Sequence, residues 1–300
     1  MWNGGGKTMR WYWYVVIGLA ILAGLLGVRW AVDWFRSHRA QKLAQPHLER
    51  CTKECDQSVQ KRIAELREYF AKKRKNCRAF AEEVLSFSSK VKLLFSGNQH
   101  VQEAFHRHIF WPEELEDQIR HTVRLCLQDI QDAENKMLVA LQADLATHFP
   151  ELLVTAVPKE ELLRFYENAL RETNERIWAS LKEDVVREIC VTVASEVLAV
   201  VIRQLTIRST TLTIGAGSGW FTFGAGLVIA LILDYIWDWW SDPTGELATK
   251  LEGELTQLEK LIIEGTGNEG GLQARLGQLS QERASARERA IMALLKKQKQ

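Results

Sequence analysis

Apolar positions in the middle of this chain recur in alternating steps of four and three. From Val59, positions 59, 63, 66, 70, 73, 77, 80, 84, 87, 91 and 94 read Val, Ile, Leu, Phe, Lys, Cys, Phe, Val, Phe, Val, Leu, so Lys73 alone interrupts a seam of five heptads. That period buries one stripe of a helix against a partner helix, from this chain or from another copy. SGNQH (96–100) reads as a helix stop, and WPEELEDQ opens the next helix with Pro112 in its first turn and acids that complement the macrodipole. Leu115, Ile119, Val123, Cys126, Ile130, Ala133, Met137 and Leu141 continue it as a second stripe. Pro150 and Pro158 bracket a break, and Lys159 opens a third long helix. Long helices joined by short breaks predict an antiparallel bundle or an extended coiled-coil stalk.

Further on, EICVTVASEVLAVVIRQL (188–205) is apolar apart from Glu188, Glu196 and Arg203, which suits a half-buried core helix or a membrane-surface helix. SDPTGEL supplies Asp242 as an N-cap and Pro243 at the first helical position. Leu247, Leu251, Leu255, Leu258 and Ile262 then repeat at three and four, and GTGNEGG separates them from another helix, Leu272 to about Lys296. This pattern predicts a C-terminal helical hairpin.

Two stretches depart from the amphipathic pattern. Trp11 to Val28 holds no charged residue, is roughly 27 Å long as a helix, and is bracketed by Trp11, Trp13, Trp30 and Trp34 like an aromatic belt. Arg29 and Trp30 stand where a signal peptidase needs small residues, so the segment is expected to be an uncleaved anchor. Ser209 to Leu233 is also uncharged, and Trp220 and Trp237 repeat the spacing of Trp13 and Trp30. Two membrane passes are therefore expected, the second from about Trp220 to Trp237. They put the termini on one side and the central region on the other. Arg29, Arg36, Arg39, Lys42, Arg203 and Arg208 flank the passes on the central side, against Lys7, Arg10 and Lys250 on the distal side, so the positive-inside rule favours a cytoplasmic central region.

Both apolar stretches carry small residues at helical spacing: Ala20, Gly24, Gly27 and Ala31 in the first, Gly215, Gly219, Thr222, Gly226 and Ala230 in the second. Such ridges let membrane helices approach closely and gain van der Waals contact. Asp234, Asp238 and Asp242 share a face at the distal interface, where Lys7 and Arg10 could pair with them; in a ring of subunits Asp234 and Asp238 would instead line an acidic mouth favouring cations.

Composition adds mainly exclusions. Lys and Arg (39) balance Asp and Glu (38), which leaves no electrostatic footprint for nucleic acid. The basic run KKRKNCR (72–78) is flanked by Glu65, Glu68, Glu82 and Glu83 and reads as a solvated helix face. Cys51, Cys55, Cys77, Cys126 and Cys190 are odd in number and scattered, unlike a disulfide framework. His47, Cys51 and Cys55 share a helix face, but His47 and Cys55 would lie about 12 Å apart, too far to hold one ion. HRH (106–108) has no evident third ligand. GGGKT (4–8) lacks the first glycine of a phosphate-binding loop, and GTGNEG (265–270) follows a helix where a dinucleotide fingerprint follows a strand. No catalytic constellation, cofactor motif or metal site is expected.

The chain thus reads as all-α: an N-terminal flank (1–10), a transmembrane helix (11–34), a central bundle or coiled coil (35–208), a glycine-rich segment with a second transmembrane helix (209–241), and a helical hairpin (242–300). The function expected is non-enzymatic: an integral protein of the plasma (inner) membrane that contacts the lipid bilayer and serves as a helical scaffold or assembly subunit. It would form homo-oligomers or bind a helical protein partner, but not nucleic acid. The alternative is an oligomeric cation channel or membrane-perturbing effector using the second span.

Overall fold

The computed structural model describes residues 6–86, 99–110, 112–150, 153–173, 183–209, 243–267 and 269–296, with the backbone alone for 6–37 and a few other positions. The fold is all-helical, and no strand occurs among the described residues. In order the helices are α1 (Gly6–Arg74), α2 (Cys77–Leu85), α3 (Gln99–His108), α4 (Pro112–His148), α5 (Leu153–Ala156), α6 (Lys159–Thr173), α7 (Glu183–Ser209), α8 (Pro243–Ile263) and α9 (Leu272–Lys296). The chain forms two compact units. One comprises Met1–Arg50, Asn135–Glu175 and Ala286–Gln300; the other comprises Cys51–Glu134 and Arg176–Ser285.

The two stripes become core. In the second unit Val59, Ile63, Leu66, Phe70, Cys77, Phe80 and Val84 are buried along the first seam, and Leu115, Ile119, Val123, Cys126, Ile130 and Ala133 along the second. Phe87, Val91 and Leu94 lie outside the described residues. The first seam is not one unbroken helix. It is interrupted at Lys75 and Asn76, where the Asn76 N–H turns back to the Lys73 carbonyl (3.0 Å) and the Asn76 side-chain amide donates to the carbonyl of His108 (2.8 Å). Asparagine competes with the helix through such side-chain bonds. The partner at that point is α3, a helix that the stop signal SGNQH did not announce. Glu83 accepts from Arg107 (2.8 Å) and pairs with His108 (2.6 Å), and Phe80 packs edge-on against Phe105.

Ion pairs give the helix directions in this unit. Arg62 pairs with Asp129, while Tyr69 and Lys73 reach Glu114, so α4 runs antiparallel to α1. Asp56 accepts from Ser280, Arg67 reaches Glu264, Arg74 pairs with Glu259, and the Cys77 thiol feels the Glu252 carboxylate. Partners therefore fall steadily from 280 to 252 as α1 and α2 rise from 56 to 77. In a side-by-side hairpin, Glu259 and Ser280 would be nearly level. Here their partners, Asp56 and Arg74, lie about 27 Å apart along α1. The expected C-terminal hairpin is thus corrected: α8 and α9 follow one another along α1. Glu196 pairs with Arg275 and Arg203 with Glu269, so α7 runs alongside α1 in the same direction. With α8 packed on α2 and α7, the second unit is an up-down-up-down bundle of α1–α2, α4, α7 and the α8–α9 series.

The loop between α8 and α9 is a side excursion pinched shut at its neck. Gly271 N–H donates to the Glu264 carbonyl (3.1 Å), and Thr266 and Glu269 exchange backbone hydrogen bonds (2.8 and 3.2 Å). Gly265 ends α8 at φ 81°, the left-handed conformation that suits glycine there.

The first unit draws its buried side chains from the same kinds of stripe: Ala40, Ala44 and Leu48 of α1; Met137, Leu138, Leu141 and Leu145 of α4; Leu162, Tyr166, Ala169 and Leu170 of α6; and Ala290, Ile291 and Leu295 of α9. Helix α4 begins at Pro112, and Pro150 and Pro158 flank its end and the start of α6, as the sequence indicates. Helix α7 is the expected half-buried core helix, with Ile189, Cys190, Val193, Ala194, Val197 and Val201 inside and Glu188 and Glu196 outside.

Among the described residues no helix is long and apolar enough to cross a membrane. The backbone of α1 is helical through 11–34, but the side chains of this stretch, and all of 210–242, lie outside the described residues.

A methyl group on Gly265 would meet the Glu269 carbonyl at 2.1 Å, whereas at Gly253, within α8, it would meet nothing. Gly265→Ala is expected to cost roughly 1–3 kcal/mol and Gly253→Ala to gain roughly 0.5–1 kcal/mol, both read as shifts in the urea unfolding midpoint.

Candidate functional site

Four kinds of feature could carry chemistry: the small-residue ridges and aspartates, the histidines and cysteines, the polar groups inside the bundle, and a groove on its surface. Helix α1 places Ala20, Gly24, Gly27 and Ala31 on one face by its helical backbone. The second ridge (Gly215, Gly219, Thr222, Gly226 and Ala230) and the acidic pair Asp234 and Asp238 lie outside the described residues.

The cysteines are core residues. All five are buried and reduced. Burial pushes the Cys77 thiol up to about 12, with Glu252 adding to the effect and Arg74 opposing it. Burial likewise pushes Cys126 up to about 12, helped by Asp129 and the neighbouring Cys55. Cys190 is also raised, chiefly by burial. Such thiols are poor nucleophiles at neutral pH, because the thiolate is the reactive form. His47 is engaged with Asp144 (2.8 Å), and in HRH His106 Nδ1 faces the Phe110 carbonyl (3.3 Å) while His108 pairs with Glu83. Among the described residues no group of three or more His, Cys, Asp or Glu side chains is placed to hold a metal ion.

The basic run 72–78 is largely occupied by carboxylates. Lys72 pairs with Glu68, Lys73 with Glu114, Arg74 with Glu259 and Arg78 with Glu82. Lys73, the exception in the first seam, is only 20% exposed; its ammonium lies 2.7 Å from Glu114 and 5.3 Å from the centre of the Tyr69 ring. Burial beside Glu114 raises the Tyr69 phenol well above its usual range, so it stays a hydrogen-bond donor.

A buried polar contact joins α4 to α9. Arg283 Nε and Nη2 donate to the two carboxylate oxygens of Glu134 at 2.9 and 2.7 Å, with the side chains 6% and 2% exposed. The sequence reading missed this pair, although a signal was present. Positions 272, 276, 280, 283, 287 and 290 keep the seam period, and Ser280, Arg283 and Arg287 occupy three of its buried places. A bidentate guanidinium–carboxylate pair satisfies both partners and fixes their relative register. Neither group is free to act on a substrate.

The groove, about 580 Å³, lies in the second unit between α1 and α9, with Asp56, Val59 and Gln60 on one side and Gln273, Ala274 and Gly277 on the other, and Glu264 and Gln281 also in its lining. Its lining holds no histidine or thiol, and Asp56 already accepts from Ser280 (2.9 Å). It therefore lacks a nucleophile–base pair. No family model, curated protein or solved structure matches the chain.

Two outcomes follow from these interactions. Arg283→Met leaves the Glu134 carboxylate without its main partner inside the bundle and is expected to cost about 3–5 kcal/mol; urea unfolding reads the loss, and Arg283→Lys should recover only part of it. The thiols make stability fall in alkali. Above about pH 9 the unfolded chain releases thiol protons that the folded chain keeps until about pH 12. Each thiol then removes about 1.4 kcal/mol of stability per pH unit. The slope between about pH 9 and 11 should flatten in Cys77→Ala with Cys126→Ala; equal slopes would count against buried neutral thiols.

Proposed function

We propose that this chain is a non-enzymatic, membrane-anchored helical scaffold or assembly subunit. The observation that carries the reading is the continuity of α1: one 69-residue helix contains the uncharged stretch Trp11 to Val28 and also supplies core side chains to both compact units. A helix of that kind transmits position between a bilayer and a folded body without an intervening linker. The side chains with chemical potential support the same view, since the buried thiols, His47, His108 and the buried pair of Arg283 with Glu134 are engaged in holding the bundle together.

In this reading the protein resides in the plasma (inner) membrane with its central region in the cytoplasm. It self-associates or binds a helical protein partner through small-residue ridges, with Ala20, Gly24, Gly27 and Ala31 providing the ridge on α1.

The full chain is expected to float with membrane vesicles in a density gradient after a high-salt wash; recovery in the soluble fraction would remove the anchor. Cross-linking in native membranes should give multiples of the chain or one discrete adduct, reduced several-fold by Gly24→Leu with Gly27→Leu while flotation persists. Reconstituted bilayers should stay electrically silent. Cation currents abolished by Asp234→Asn or Asp238→Asn would replace the scaffold by a channel.

A further inference from the structure

We infer that two copies of the chain pair through the groove between α1 and α9, the α9 of each lying antiparallel to the α9 of the other with Gly277 at the two-fold axis. The inference rests on the self-association reading above and names a surface for it.

Helix α9 carries two stripes. The inner one, which includes Leu272, Leu276, Ser280, Arg283 and Arg287, is buried. The outer one, Ala274, Gly277, Gln281 and Ala284, keeps the same steps of three and four, and none of its members is buried. That period on an outer face marks a second packing line. Three of its four side chains are small, and a methyl group on Gly277 would meet nothing within 4 Å. Ala274 and Gly277 also form one side of the groove of about 580 Å³, opposite Asp56, Val59 and Gln60. Small residues at the contact let a helix laid there reach the near end of the usual range of about 8–10 Å between axes.

Symmetry identifies that helix as a second copy of α9. Gln273 and Gln281 both line the groove, and each stands one helical turn from Gly277, on opposite sides of it. In an antiparallel pair centred on Gly277, Gln273 of each copy faces Gln281 of the other. An amide both donates and accepts, so two identical pairs form, as an isologous interface requires. A parallel pair would satisfy the amides equally well, and charge separates the two arrangements. Asp56 accepts from Ser280 (2.9 Å), so Lys53, on the same face of α1 as Asp56 and Gln60, stands level with residue 283. In the antiparallel pair the other copy's Gly271 comes to that height, and the Gly271 N–H holds the Glu264 carbonyl at 3.1 Å. Lys53 and Glu264, both exposed, thus meet across the two-fold twice. A parallel pair sets Lys53 against Lys53 and Glu264 against Glu264, which is repulsive.

The direction of pairing bears on the anchor. Val59 stands level with Gly277, and Val28 lies about 46 Å away along the same continuous helix at 1.5 Å per residue. The uncharged stretches of a pair therefore leave in opposite directions. In the membrane reading, such a pair links copies held in two facing bilayers.

Full-length protein in mild detergent tests the pairing by disulfide cross-linking of introduced cysteines, since the native thiols are buried. Gly277→Cys should give a linked dimer several-fold more readily than Thr256→Cys, an exposed position on α8. Chains with Gln273→Cys mixed with chains with Gln281→Cys should cross-link about tenfold faster than either alone, because only the mixture brings two thiols together. Lys53→Glu should weaken the dimer about tenfold, and Lys53→Glu with Glu264→Lys should recover it. Cross-linking of each variant alone at the rate of the mixture shows a parallel pair and overturns the inference. Absence of linked dimers at 273, 277 and 281 also overturns it, and a chain that still self-associates then does so elsewhere. Vesicles carrying the chain with the bundle outward should cluster, and Gly277→Leu should disperse them while flotation persists. Vesicles that carry the unaltered chain and stay single overturn the link between bilayers. Loss of flotation by the unaltered chain defeats the membrane reading, and the cross-links in detergent still decide the pairing.

Discussion

The antiparallel packing of α1 on α4 is the constraint on which the rest of the second unit depends. A single helix in water is marginal at best, and an amphipathic one is stabilised chiefly by what its apolar stripe meets. Val59, Ile63, Leu66 and Phe70 of α1 and Leu115, Ile119, Val123, Cys126 and Ile130 of α4 disappear together into the core. The bidentate pairing of Arg62 with Asp129 and the reach of Tyr69 and Lys73 to Glu114 fix which turns meet. Once that register is set, α1 acts as the ruler along which α8 and α9 lie in sequence.

Charge serves register more than stability in this molecule. Exposed pairs such as Lys72 with Glu68 and Arg78 with Glu82 contribute at most a few tenths of a kcal/mol each. The buried pair of Arg283 with Glu134 is different in kind. Its desolvation offsets much of its Coulomb attraction, yet loss of one partner is costly because the other stays buried. A sliding error of one turn between α4 and α9 would part Arg283 from Glu134 and set it against the apolar Ile130 or Leu138, so the pair favours a single alignment. The same economy of charge accounts for the run 72–78, whose pairing with carboxylates leaves little free positive charge for a phosphate backbone.

Bundle topology also bears on how the apolar stretch 210–242 is read. A hydropathic stretch read alone has two ends and a length, and its length suits a crossing. The same stretch set between α7 and α8 has both flanks, the end of α7 and the start of α8, in one folded body. The unbroken backbone of α1 carries the other apolar stretch, Trp11 to Val28.

Much of the helical content was legible from residue order, because periodicity, prolines and the acidic first turn of α4 act within a few residues of where they stand. The stripes at 59–84 and 115–141, the start at Pro112, the breaks at Pro150 and Pro158, and the start at Pro243 could all be read there. The interruption at Asn76 was not, since it depends on the carbonyl of His108 arriving from a helix that the sequence did not signal. Glu134 and Arg283 were hidden for a similar reason: each occupies a seam position that would cost too much alone, and 149 residues separate it from the partner that makes it acceptable. The turn at Gly265 was visible as a helix stop, but whether α9 then doubles back along α8 or carries on beyond it is decided by the neck at Glu264 and Gly271 and by α1 alongside. By itself, then, the sequence determined which residues form helices and which faces seek burial, because those depend on local geometry and composition. Only the tertiary structure decided which faces meet and in what direction, because those depend on contacts between residues far apart in the chain.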